Sequence, residues 1–123
     1  PEIMAEADVA LFPNRCEGGT NLVAMETMAS GIPCILSANT GHLDIIGEDN
    51  CYRLERQTDV PTEMEPSGVW KESDVDEIVE TLEQVYQNRD EAKKRAASGV
   101  AFMQNLSWEK QTKALIEDLS VFL

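Results

Sequence analysis

The sequence predicts an α/β fold: a short parallel sheet whose strands alternate with helices. Three observations carry that reading. Val9 to Phe12, Ile32 to Leu36 and Cys51 to Leu54 are apolar runs too short for helices and continuous enough for strands buried on both faces. Helical or turn-forming segments separate them, which implies parallel pairing through right-handed crossovers. Polar loops follow the first two runs, Asn14 to Asn21 and Ser37 to Gly41, so both leave the sheet at the carboxyl ends of its strands.

Taken in order, Pro1 to Glu6 reads as the end of a helix, with Pro tolerated at the first position. Val9 to Phe12 is the first strand, stopped by Pro13. A helix runs from Leu22 to Ser30, capped by Thr20 or Asn21, with Leu22, Met25 and Ala29 on one face and Gly31 as terminator. Ile32 to Leu36 is the second strand, entered through Pro33, where a missing amide is tolerable. A short helix over His42 to Ile46 and a turn at Gly47 to Asn50 lead to the third strand, Cys51 to Leu54.

Residues 55–72 read as an irregular, proline-containing loop anchored by Trp70. Residues 73–123 read as C-terminal helices. Ser73 and Asp76 form a capping-box signature, and Val75, Ile78, Val79, Leu82, Val85 and Tyr86 trace a helical stripe. The acidic residues of that helix fall on its exposed face. Two further helices cover about Asp90 to Asn105 and Ser107 to Val121, with Trp108 expected in the core.

Ten Lys and Arg against 23 Asp and Glu give a net charge of −13, which argues against nucleic acid and anionic membranes as partners. An anionic small ligand remains compatible, because local amides at a helix terminus outweigh a screened global charge. Cys16, Cys34 and Cys51 are odd in number and lack CxxC spacing, so neither a disulfide framework nor a zinc site is indicated, and a cytoplasmic location fits. No apolar run approaches the roughly 18 residues of a spanning helix.

Gly18, Gly19 and Thr20 lie between a strand and a helix, where small residues let backbone amides approach an anion and the helix dipole favours negative charge. The spacing matches neither GxGxxG nor the Walker pattern, so a phosphate cradle and a plain tight turn fit it equally. Glu17 and Glu26 bracket this unit with carboxylates able to accept hydrogen bonds from hydroxyls; a capping role for Glu17 and solvation of Glu26 are the plainer alternatives. His42 opens the second segment after Gly41 and is the single histidine. Cys16 has no local base or positive cluster to activate it, and Asp44 and Glu48 lack partners at ligand spacing.

The run Ala7-Asp8-Val9, then Glu17 through Glu26 into Ala29-Ser30-Gly31-Ile32-Pro33, followed by Thr40-Gly41, resembles the donor-binding half of family 4 glycosyltransferases, which have the two-domain GT-B architecture. The resemblance continues through Asn50-Cys51-Tyr52 to Leu106-Ser107-Trp108-Glu109. It implies an incomplete Rossmann-like parallel sheet of about three strands, where a full domain of this type has about six. The 123 residues then form a single partial domain, the C-terminal part of a nucleotide-sugar-binding domain.

By the same resemblance, Glu26 binds the ribose hydroxyls of a nucleotide-sugar donor, amides of Gly18, Gly19, Thr20 and Asn21 hold its diphosphate, and Glu17 is the catalytic-side residue facing the transferred sugar. Arg15, Thr40, Gly41 and His42 stand as candidate donor-loop contacts. Eight residues separate Glu17 from Glu26, where the family pattern has seven. The family is metal-independent and retaining, so no metal and no further cofactor is expected.

The family's Arg and Lys lie upstream of this region, and the chain begins at Pro1, so an N-terminal acceptor domain is expected to be missing. An isolated fragment would then have little turnover, its open sheet edge would favour homo-oligomers, and peripheral membrane association would come only through the absent domain. The competing expectation is a stand-alone, non-catalytic nucleotide-binding or self-association module.

Overall fold

The structure is a computed structural model that describes residues 2–61 and 69–122. Helix α1 (Glu2–Ala5) leads into strand β1 (Ala10–Phe12), helix α2 (Leu22–Ala29) and strand β2 (Cys34–Ser37). A 3-10 turn (Thr40–Asp44) then connects to strand β3 (Tyr52–Leu54). The three strands form a parallel sheet in the order β1-β2-β3, with Ala10 opposite Cys34 and Ile35 opposite Tyr52. The predicted α/β fold with three parallel strands is therefore the observed one.

Side-chain alternation divides the core between the two faces of this sheet. On one face Cys34, Leu36 and Cys51 pack with Ala24 and Met28 of α2, Ile45 and Met103. On the other, Ile35, Tyr52 and Leu54 pack with Val85 and Ala92. These last two come from helices α3 (Val75–Gln87) and α4 (Arg89–Met103), so helices cover both faces. Each fully buried Ile or Leu contributes about 1.5–3 kcal/mol. β2 is buried along its whole length because it is the central strand.

Four expectations need correction. The inward face of α2 is Ala24, Thr27 and Met28, whereas Leu22 and Ala29 are exposed. The stretch 55–72 is not wholly irregular: β4 (Gln57–Asp59) pairs antiparallel with β5 (Lys71–Ser73). Residues 62–68 of that stretch lie outside the described residues. Because Ser73 belongs to β5, the cap of α3 falls one residue later, where the Asp74 carboxylate accepts from the Glu77 amide at 2.8 Å. The Glu77 carboxylate accepts from the amides of Glu55 and Arg56 and ties the end of β3 to α3.

The fourth correction concerns the C-terminus. After a 3-10 turn at Gln104–Leu106, helix α5 (Trp108–Ser120) is capped by Ser107 but has no buried residue. Trp108 is 88% exposed, so it is not core, and Leu115, Ile116 and Leu119 form an apolar stripe facing outward. The stripe of α3 is likewise only half used. Val85 is buried and Ile78 and Leu82 pack against the same cluster, while Val75, Val79 and Tyr86 are exposed. Among the described residues, no helix is long and apolar enough to cross a membrane.

Candidate functional site

Both polar loops emerge from the carboxyl ends of β1 and β2, as parallel pairing requires, and they interlock. The Glu17 amide donates to Thr40 Oγ1 at 2.7 Å, and the Gly41 amide donates to the Glu17 carbonyl at 3.3 Å. Thr40 Oγ1 in turn donates to Asn39 Oδ1 at 3.0 Å. Gly41 is required by contact: a Cβ placed there would stand 1.4 Å from the Gly19 carbonyl oxygen. Gly18 and Gly19, by contrast, would each meet open space. The glycine that fixes the geometry of the first loop therefore belongs to the second.

A buried polar relay continues this contact. Asn21, at φ 61°, caps α2 by accepting the Ala24 amide on Oδ1 at 3.1 Å. Its Nδ2 must then donate to His42 Nε2, 2.9 Å away, which makes Nε2 the acceptor and puts the imidazole proton on Nδ1. That Nδ1–H faces the Ser37 carbonyl at 3.0 Å. Ser37 Oγ donates to the Asn14 carbonyl at 2.8 Å, and Asn39 Nδ2 donates to the same oxygen at 3.0 Å. His42 is fully buried with both ring nitrogens engaged, so it has no open face toward a ligand.

The consequence is a loop held from beneath and open above. The amides of Gly18, Gly19, Thr20 and Asn21 have no hydrogen-bond partner among the described residues. They precede the N-terminus of α2, where the helix dipole adds positive potential. Gly18 and Gly19 are exposed. Glu17 is pinned at both backbone atoms, and its carboxylate accepts from Asn14 Nδ2 at 3.0 Å. Glu26 lies on the exposed side of α2 with Leu22 and Val23, and its carboxylate has no partner among the described residues.

The family described as Family 4 Glycosyltransferase in conflict systems matches residues 2–115. The chain belongs to this family. Its fold is also similar to sucrose-phosphate synthase from Thermosynechococcus elongatus, a GT-B glycosyltransferase, at a TM-score of 0.69 and 23% identity over 98% of this chain. The chain spans 27% of that enzyme's length. No curated protein matches.

Within this family 4 glycosyltransferase chain, Arg15 is an exposed residue of the first loop. Its guanidinium pairs with Glu72, and its carbonyl accepts the Lys71 amide at 2.9 Å, which ties the first loop to β5. Thr40 and Gly41 act on the loop itself, through the bonds described above. The residues that sequence reading missed are Asn14, Ser37 and Asn39. Each is small, polar and placed within two residues of a strand's carboxyl end, and that placement is the signal that could have found them.

A second concavity, about 270 Å³, lies at the opposite ends of the strands, between Ala7 to Val9, Ile32 and Pro33 and the α3–α4 junction. Leu82, Val85 and Tyr86 give it apolar walls, and Arg89 sits 3.9 Å from Asp8 and 5.3 Å from the Tyr86 ring centre. Arg89 and Lys93 bring cationic donors to its lining, and it lies at the far end of the sheet from the open amides.

The cysteines are free thiols. Burial pushes Cys34 up to about 12, with Cys51 beside it adding to the effect. Burial pushes Cys51 up to about 11, against the opposing pull of Arg53 and Arg95. Neither is a nucleophile at neutral pH.

Proposed function

We propose that this chain is the nucleotide-sugar-binding part of a retaining glycosyltransferase, which transfers a sugar from a nucleoside diphosphate donor to an acceptor. The observation that carries the reading is the row of open amides from Gly18 to Asn21 ahead of α2, bracketed by the carboxylates of Glu17 and Glu26. A ligand bearing both phosphate oxygens and sugar hydroxyls matches that set: amides serve the former and carboxylates the latter.

In the reaction the bond between the anomeric carbon and the diphosphate oxygen breaks, the acceptor oxygen takes its place on the same face of the sugar, and the acceptor's hydroxyl proton passes to the departing diphosphate. Amides and helix dipole stabilise the charge that gathers on the departing diphosphate, and because they are already oriented they cost little reorganisation. Glu26 holds the ribose hydroxyls. Glu17, fixed by the Thr40 and Gly41 contacts, faces the transferred sugar. The acceptor and the upstream cations come from other segments, so the isolated chain has little turnover. The exposed Leu11, Leu22 and Val23 suit packing against such segments. A cytoplasmic setting, where nucleotide sugars are plentiful and thiols stay reduced, fits the three free cysteines.

Titration calorimetry with uridine, guanosine and adenosine diphosphates tests this. At least one should bind, and Glu26→Ala should weaken it by about tenfold or more, as loss of a charge-assisted hydrogen-bond pair does. Binding that is indifferent to Glu26→Ala would overturn the ribose assignment.

A further inference from the structure

The donor reading leaves His42 unexplained, because a fully buried imidazole cannot contact a ligand. Among the described residues it is nonetheless the side chain that bridges the end of β2 to the cap of α2. Its Nδ1 is 3.0 Å from the Ser37 carbonyl and its Nε2 is 2.9 Å from Asn21 Nδ2. We propose that His42 is a positioning residue for the donor diphosphate, acting through Asn21. The inference rests on the donor-site reading and adds the device that shapes the site.

Asn21 occupies a left-handed backbone conformation at φ 61°, which Asn tolerates better than most residues and which still needs support from its surroundings. Its side-chain amide can face Ala24 in either of two orientations. Only one puts Oδ1 on the Ala24 amide, and an acceptor at Nε2 of His42 selects it by engaging Nδ2. An imidazole with its proton on Nδ1 provides that acceptor, and the Ser37 carbonyl holds the proton there.

The selected orientation sets the direction of the chain as it leaves Gly18 to Thr20 and enters α2, and with it the direction of the open amides. Apolar residues of equal size would fill the space without making this selection. His42 therefore shapes the site from 21 residues away in sequence, alongside the Thr40 and Gly41 contacts to the start of the same loop.

The test is calorimetric titration of uridine, guanosine and adenosine diphosphates into wild type, His42→Leu, His42→Gln, Asn21→Ser and the double variant His42→Leu/Asn21→Ser, with thermal midpoints measured in parallel. His42→Gln keeps one donor and one acceptor and should retain affinity within about threefold of wild type. His42→Leu and Asn21→Ser should each weaken the bound diphosphate by about tenfold, and the double variant should be no weaker than either, as expected of two residues acting through one bond.

Wild-type affinity in His42→Leu, or additive losses in the double variant, would overturn the proposal, as would a lowered midpoint with unchanged affinity. If His42→Leu fails to fold, Asn21→Ser decides, since Asn21 lies at the surface end of the relay; wild-type affinity there overturns it. If wild type binds none of the three diphosphates, the donor reading itself fails and takes this inference with it. Binding by wild type with no loss in the variants refutes the inference alone.

Discussion

At the scale of single residues, the geometry of the two loops depends on contacts made beneath their open surface. Gly41 has no room for a Cβ, because the Gly19 carbonyl occupies the space. Gly41→Ala should therefore force the two loops apart and cost about 1–3 kcal/mol, read as a fall in the urea midpoint with the slope unchanged. Thr40 holds a left-handed conformation at φ 40° while its hydroxyl accepts the Glu17 amide. Thr40→Val keeps the shape and removes the acceptor, so it should destabilise by about 1–3 kcal/mol through the orphaned amide; a midpoint equal to wild type would contradict that account. Glu17, Glu26 and the glycine pair were legible as a group because chemistry-bearing residue types sit together in sequence. The burial of His42 was not, since it depends on Asn21 from the cap of α2 and Ser37 from the end of β2 converging on it.

At the scale of elements, periodicity located β1, β2, β3 and α2 to within two residues, because each is short, apolar and bounded by Gly, Pro or a polar loop. It missed β4 and β5. Both are three-residue strands of polar sequence, Gln-Thr-Asp and Lys-Glu-Ser, held by ladder bonds and by an ion pair between Lys71 and Asp59 rather than by apolar alternation. Nor could periodicity say which side of a helix turns inward. The stripe on α5 has the spacing of a core face and yet lies wholly exposed. Supported among the described residues by its caps, the i,i+4 pair of Lys113 and Glu117 and the bonds from Lys110 and Gln111 to Asn105, with no buried side chain, α5 should be the least protected of the long helices in amide hydrogen exchange. Its amides should exchange well before those of Met28 and Ile35, and equal protection would mean that a partner covers the stripe in solution.

At the scale of the whole molecule, a three-stranded sheet covered on both faces organises one core, and the family match over residues 2–115 agrees with it. The two buried thiols give that core a pH signature. Unfolded thiols titrate near the model-compound value of 9.0, whereas the folded chain keeps these protons until about 12 at Cys34 and about 11 at Cys51. As pH rises above 9 the unfolded state binds fewer protons than the folded one, so stability falls with increasing pH and is fully present below 9. The urea midpoint should drop between pH 8 and pH 10.5, and Cys34→Ala/Cys51→Ala should flatten that drop while lowering stability at pH 8. An unchanged slope in the double variant would assign the alkaline loss to other groups.

The proposed function requires that a nucleoside diphosphate bind on the open amides ahead of α2. Nitrogen-15 chemical-shift mapping during titration of the uridine, guanosine and adenosine diphosphates tests it most directly. The largest changes should fall on the amides of Gly18, Gly19, Thr20 and Asn21 and on the first turn of α2, with smaller ones at Thr40 and Gly41. Changes centred instead on Val9, Ile32, Leu82 and Arg89, around the cleft at the other end of the sheet, or no change with any of the three, would contradict it.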